Sequence, residues 1–119
     1  MDHKRILLVM KPTRLHDDLT YRLQHSNFEV IHASNGKRVG TQIRRYPLDM
    51  VILEMNLPGF DGLELILNIN DFLKQIPIIT IADDLKLEHN ILKAGGTALI
   101  HSSAEPNDIV NLIEKIIGV

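Results

Sequence analysis

Apolar residues along this chain fall into two alternating patterns. Residues 6–10, 28–32, 50–53, 76–81 and 98–101 are short, nearly continuous apolar runs, the pattern of strands buried on both faces. Val30 and Ile31 give the second run β-branched character, and Pro77 stands at the start of the fourth, where a missing donor does little harm. Between the runs the apolar spacing lengthens to helical periods. Leu15, Leu19 and Leu23 mark one face of a first helix, and Val39 and Ile43 one side of a second, after the turn residues Ser34-Asn35-Gly36. Asp61 caps a third helix, with Glu64 placed to complete an acidic capping box. Asp83 or Asp84 caps a fourth, which runs to about Ala94 and stops at Gly95-Gly96. The fifth starts near Ser103 with Pro106 in its first turn. Its apolar face is Ile109, Leu112, Ile113, Ile116 and Ile117, with Asp108, Asn111, Glu114 and Lys115 opposite.

Five strands alternating with five helices predict an α/β domain spanning residues 1–119, with a parallel sheet covered by helices on both faces. Right-handed crossovers favour a flavodoxin-like (βα)5 doubly wound sheet in strand order 2-1-3-4-5. Such a sheet places its functional site beyond the carboxyl ends of the strands, at the switch point. That singles out Met10-Lys11, Glu54, Ala82-Asp83 and Ser102.

Composition narrows the chemistry. A formal charge of −2 argues against a general binder of nucleic acid or anionic membrane. The chain has no cysteine, which excludes thiolate chemistry and cysteine-ligated zinc. The first apolar run is cut short by Lys11 and Pro12, too early for a signal peptide or membrane span, so a cytoplasmic location is expected. No glycine-rich phosphate loop follows the first strand, which weakens a nucleotide-binding enzyme reading. The histidines show no metal-ligand spacing, and His89 and His101 read as surface or partner-facing. Lys37, Arg38, Arg44 and Arg45 form a basic patch that reads as a solvated face. Helix three has more apolar surface than one face requires: Leu63, Leu65, Ile66, Leu67, Ile69, Phe72 and Leu73 leave only a narrow polar stripe.

Several segments together resemble the receiver domains of two-component response regulators. Lys4-Arg5-Ile6-Leu7-Leu8-Val9 is similar to the family's first strand, and Val51-Ile52-Leu53-Glu54 followed by Pro58-Gly59-Phe60-Asp61-Gly62 resembles its phosphoacceptor segment. Phe28-Glu29-Val30, Asn35-Gly36, Ile76-Pro77-Ile78-Ile79 and Lys93-Ala94-Gly95-Gly96 fall at the family's spacings. The resemblance implies a site made of an acidic pair for magnesium, an acceptor aspartate, a hydroxyl and a lysine. Phosphoryl transfer is mostly positioning and charge neutralisation, so it needs such a hard cation and such donors.

At the matching positions this chain has Met10 and Lys11 for the acidic pair, Glu54 for the acceptor, Ala82 for the hydroxyl and Ser102 for the lysine. Ser103 replaces the proline after that lysine, so a cis bond there would cost roughly 2.5–4 kcal/mol. Leu99 stands at the switch aromatic position. The expectation is a degenerate bacterial receiver, a pseudo-receiver without a cofactor, metal or enzymatic activity. Lys11 is expected to reach Glu54 and take the cation's place, with a solvent-facing Lys11 as the other reading. Glu54 is read first as a carboxylate satisfied by Lys11 or by backbone donors, and second as a mimic of the phosphorylated state. Thr80 is out of register for the missing hydroxyl and reads as structural. A protein partner or self-association is expected, with no small-molecule substrate, nucleic acid or membrane. The family's usual docking face would here present Lys86, His89, Asn90, Lys93, Asn111 and Lys115. The rival is a phosphorelay receiver that still accepts phosphate, on Glu54 or on Asp83.

Overall fold

A computed structural model describes residues 3–118. The chain alternates β1 (Arg5–Val9), α1 (Arg14–His25), β2 (Glu29–Ala33), α2 (Gly36–Arg45), β3 (Met50–Glu54), α3 (Gly62–Phe72), β4 (Ile78–Ala82), α4 (Glu88–Ala94), β5 (Ala98–His101) and α5 (Pro106–Ile117). The strands form one parallel sheet in the order β2-β1-β3-β4-β5. This is the flavodoxin-like arrangement anticipated from the alternation of periods.

Strand alternation divides the core in two. Leu7, Val9, Val51 and Leu53 face α2, α3 and α4, where they meet Val39, Ile43, Ile66, Ile69 and Ile91. Ile6, Leu8, Met50, Ile52, Ile79 and Ile81 face the other way, onto Leu19 and Leu23 of α1 and Ile109, Val110 and Ile113 of α5. Successive side chains on a strand point to opposite faces, so a run apolar at every position must be covered on both. Each fully buried Leu or Ile contributes roughly 1.5–3 kcal/mol through the surface it withdraws from water. The helical periods picked out in the sequence thus coincide with the buried stripes, although Val110 and the buried Gln42 lie outside them. Gln42 avoids an unsatisfied amide by donating from Nε2 to the His32 carbonyl at 2.9 Å.

Boundaries shift by a residue or two from the expected ones. Phe28 is buried ahead of β2, and Ile76 and Pro77 precede β4, because pairing with the neighbouring strand sets where a strand begins. Asp84, not Asp83, provides the cap before α4: its Oδ1 accepts from Lys86 N at 2.9 Å and opens a 3-10 turn over Leu85–Leu87. Asp61 caps α3 through Leu63 N at 2.9 Å and Glu64 N at 3.5 Å. Among the described residues Glu64 returns no side-chain bond, so the expected box is half formed. The last helix begins at Pro106 rather than near Ser103, with proline in the first turn.

Candidate functional site

Parallel pairing gathers the carboxyl ends of β1, β3, β4 and β5 along one edge of the sheet. Val9 pairs with Leu53, so Met10 and Lys11 leave β1 beside Glu54. Ala82 pairs with His101, which brings Ser102 and Asp83 together.

Glu54 and Lys11 do meet, but not as an ion pair. Glu54 Oε1 accepts from the backbone N–H of Lys11 at 3.0 Å. Among the described residues the ion pairs do not include the Lys11 ammonium, so the expected side-chain bridge is corrected to a main-chain bond. The reason is geometric. The peptide turning out of β1 points its N–H at the end of β3, and this rigid donor needs no ordering of a long side chain.

Met10 takes no part in the pocket. It is 1% exposed and packed between the sheet and α1 and α5. A thioether there fills the apolar core and supplies no oxygen to a hard cation. Ala82 is likewise buried and brings no polar side-chain atom.

A second polar cluster lies next to Glu54. The Asp83 carboxylate accepts from Asn56 Nδ2 at 2.8 Å and from the hydroxyl of Ser102. Ser102 N also donates to the Ala82 carbonyl at 3.0 Å, which holds the loop after β5 against β4. Sequence reasoning had Asp83 among the strand-end residues and as a cap or a displaced acceptor, and it missed Asn56. The signal was available in the register, since both follow paired strand ends. His101 Nδ1 pairs with Ser103 Oγ at 2.7 Å, and the described residues contain no cis peptide bond.

The loop between β3 and α3 is shaped by packing. A Cβ on Gly62 would lie 2.6 Å from Met55 Cε and 2.9 Å from its Sδ, so the end of the Met55 side chain rests in the space that glycine leaves at the start of α3. Leu99 is partly buried against the core beneath α2, α3 and α4. Thr80 is fully buried and donates its hydroxyl to the Ala98 carbonyl at 3.0 Å, as its structural reading required. Lys37, Arg38, Arg44 and Arg45 are exposed, as are Lys86, His89, Asn90, Lys93, Asn111 and Lys115. On α3 the apolar excess surfaces as Leu67 and Phe72, which are 49% and 60% exposed.

The chain belongs to the response regulator receiver domain family, whose model matches residues 6–114. It is therefore a receiver domain of the kind found in two-component signal transduction. It is 28% identical over 115 residues to the transcriptional regulatory protein BaeR of Escherichia coli, covering 95% of this chain and 48% of that protein. It is 27% identical over 98 residues to the Fimbriae Z protein of Salmonella typhimurium, covering 80% of this chain and 47% of that protein. The chain thus spans about half the length of these curated relatives. Its backbone superposes on a CheY-like receiver from Methanospirillum hungatei with a TM-score of 0.90 at 23% identity, covering 98% of this chain and 95% of that one. No helix among the described residues is long and apolar enough to cross a membrane.

Proposed function

We propose that this receiver no longer takes up phosphate and serves as a non-catalytic protein-binding module. The observation that carries the reading is the state of the carboxylate at the end of β3. Glu54 is engaged by the Lys11 backbone, with no acid from β1 beside it. A magnesium ion needs near-octahedral oxygen coordination, usually through one or two carboxylates with water and phosphate oxygens. Met10, Lys11 and Ala82 provide none of these from their side chains. The two carboxylates that remain, Glu54 and Asp83, are already engaged by Lys11 N, Asn56 and Ser102, which makes the site a poor fit to that ion. The remaining donors, Asn56 and Ser102, are bonded to Asp83.

Partner binding falls on the exposed surface of α4 and α5. Lys86 in the 3-10 turn before α4, His89, Asn90 and Lys93 on α4, and Asn111 and Lys115 on α5 are all exposed. A shallow groove of about 360 Å³, lined by Leu63, Leu67, Asn90, Lys93 and Ala94, continues this surface toward α3. Its mixture of apolar floor and basic or amide rim suits a protein contact better than a small substrate.

An amide NMR titration with magnesium and then beryllofluoride tests the reading. Unchanged signals at Lys11, Glu54, Ala82 and Ser102 support it, and saturable shifts there overturn it. One observation keeps a phosphorelay reading in view, namely the Asp83 carboxylate beside a hydroxyl and an amide. Incubation with a small phosphodonor and magnesium would then leave an acid-labile or base-labile phosphate on Asp83 or Glu54.

A further inference from the structure

On the α1 side of the sheet, two histidines far apart in sequence meet at close range. His16 lies in the first turn of α1 and His32 on the edge strand β2, in register with Leu8. His16 Nε2 stands 3.0 Å from His32 Nδ1. The rings are tilted by 54° with centroids 5.0 Å apart, so their nitrogen edges face each other and they are not stacked. The other nitrogen of His16, Nδ1, lies 3.1 Å from Asp17 Oδ1. A carboxylate can only accept, so it holds the proton on Nδ1 and leaves the Nε2 lone pair aimed at His32. Both backbones are tied down: the Thr20 hydroxyl donates to the His16 carbonyl at 2.8 Å and Gln42 to the His32 carbonyl at 2.9 Å.

We propose that His16 and His32 form a two-imidazole site for a late first-row divalent metal ion, Cu²⁺, Ni²⁺ or Zn²⁺, which clips α1 to the edge strand. With His16 protonated on Nδ1, the proton between the rings is carried by His32 Nδ1. On metal binding it passes through solvent to His32 Nε2, so His32 stays neutral in its other tautomer and both facing nitrogens offer lone pairs to the metal. Metal–nitrogen bonds of about 2.0–2.1 Å place two ligand nitrogens about 2.9 Å apart at a right angle and about 3.4 Å apart at the tetrahedral angle. The observed separation lies between these values, so binding needs a ring rotation and a few tenths of an ångström. Asp17 plays the part of the outer carboxylate that fixes the tautomer and ring orientation in histidine–metal sites. Partial burial, and secondarily the neighbouring His16, hold the His32 imidazole below its ordinary pKa of 6.5 and favour the ligating neutral form. The described residues contain no group of three or more His, Cys, Asp or Glu placed to hold a metal, so water completes the coordination. Imidazole suits these ions and discriminates against magnesium and calcium, which take oxygen ligands. The site is separate from the Glu54 pocket, and its existence does not depend on whether that pocket takes phosphate.

The test uses the whole chain and its His16→Gln and His32→Gln variants. ZnCl₂ calorimetry should give a one-to-one isotherm that either substitution weakens about tenfold or more, as loss of one of two ligands requires. Under NiCl₂, the ring signals of His16 and His32 should broaden before those of His3, His25, His89 and His101. MgCl₂ should produce neither effect. The proposal fails if wild type shows no saturable heat at millimolar zinc, if both variants bind like wild type, or if broadening begins at another histidine. Should a variant not fold, the order of broadening in the wild-type chain decides alone.

Discussion

The bond between Glu54 and the Lys11 main chain makes a specific claim about which atoms matter, and stability measurements can separate it from a side-chain ion pair. In the Glu54→Gln variant an amide oxygen can still accept from the Lys11 N–H, but the charge is gone. Hydrogen bonds to charged groups contribute about 1.5–3 kcal/mol and neutral ones about 0.5–1.5 kcal/mol, so the substitution should cost about 1 kcal/mol. Glu54→Ala leaves the N–H without its partner and should cost about 1.5–3 kcal/mol, the charged bond in full. For a domain of this size, 1 kcal/mol corresponds to roughly 3–5 °C in Tm. Lys11→Met removes the ammonium while the donor remains in the backbone, so stability should stay within about 0.5 kcal/mol. Urea unfolding of wild type, Lys11→Met, Glu54→Gln and the double variant, with equal m-values, completes a double-mutant cycle. The coupling should be below about 0.5 kcal/mol. A coupling of about 1 kcal/mol or more, with Lys11→Met itself destabilising, would refute the main-chain assignment and restore the ion pair.

Two further outcomes follow from the geometry. His32 is held below its ordinary pKa, so the unfolded chain takes up its proton at higher pH than the native one. The stability that the neutral ring contributes is full above about pH 6.5 and is lost as the pH falls through that value toward the lower native one. Denaturation midpoints at pH 7.5 and 5.5 should therefore differ less in His32→Gln than in wild type, and an equal difference would contradict the assignment. Gly95 ends α4 at φ 114°, where a Cβ would lie 2.7 Å from Asn70 Cγ. Gly95→Ala should cost about 1–3 kcal/mol by thermal melting, and a neutral result would mean that the helix end re-forms in another conformation.

The alternation of apolar runs and helical periods was by itself sufficient for the element order, the doubly wound sheet and most of the core. Ile6, Leu8, Val51 and Ile109 could not be exposed without losing the burial that holds such a fold together. Covalent spacing also placed Met10, Lys11, Glu54, Ala82 and Ser102 at the strand ends, since strand length and connection leave little choice there. What those residues touch was decided only in three dimensions. Lys11 could present an ammonium or a main-chain N–H to Glu54, and the exit angle of β1 selected the N–H. Met10 could line a pocket or enter the core, and packing under α1 and α5 drew it inward. Asp83 left the helix cap to Asp84 because Asn56 and Ser102 converge on it from β3 and β5. His16 and His32 had no local signal at all. They stand sixteen residues apart on two different elements, and only the docking of α1 on the edge strand brings their rings together. Local pattern records burial, which repeats along the chain. Polar contacts depend on the direction of a single bond, and that direction exists only once the elements have packed.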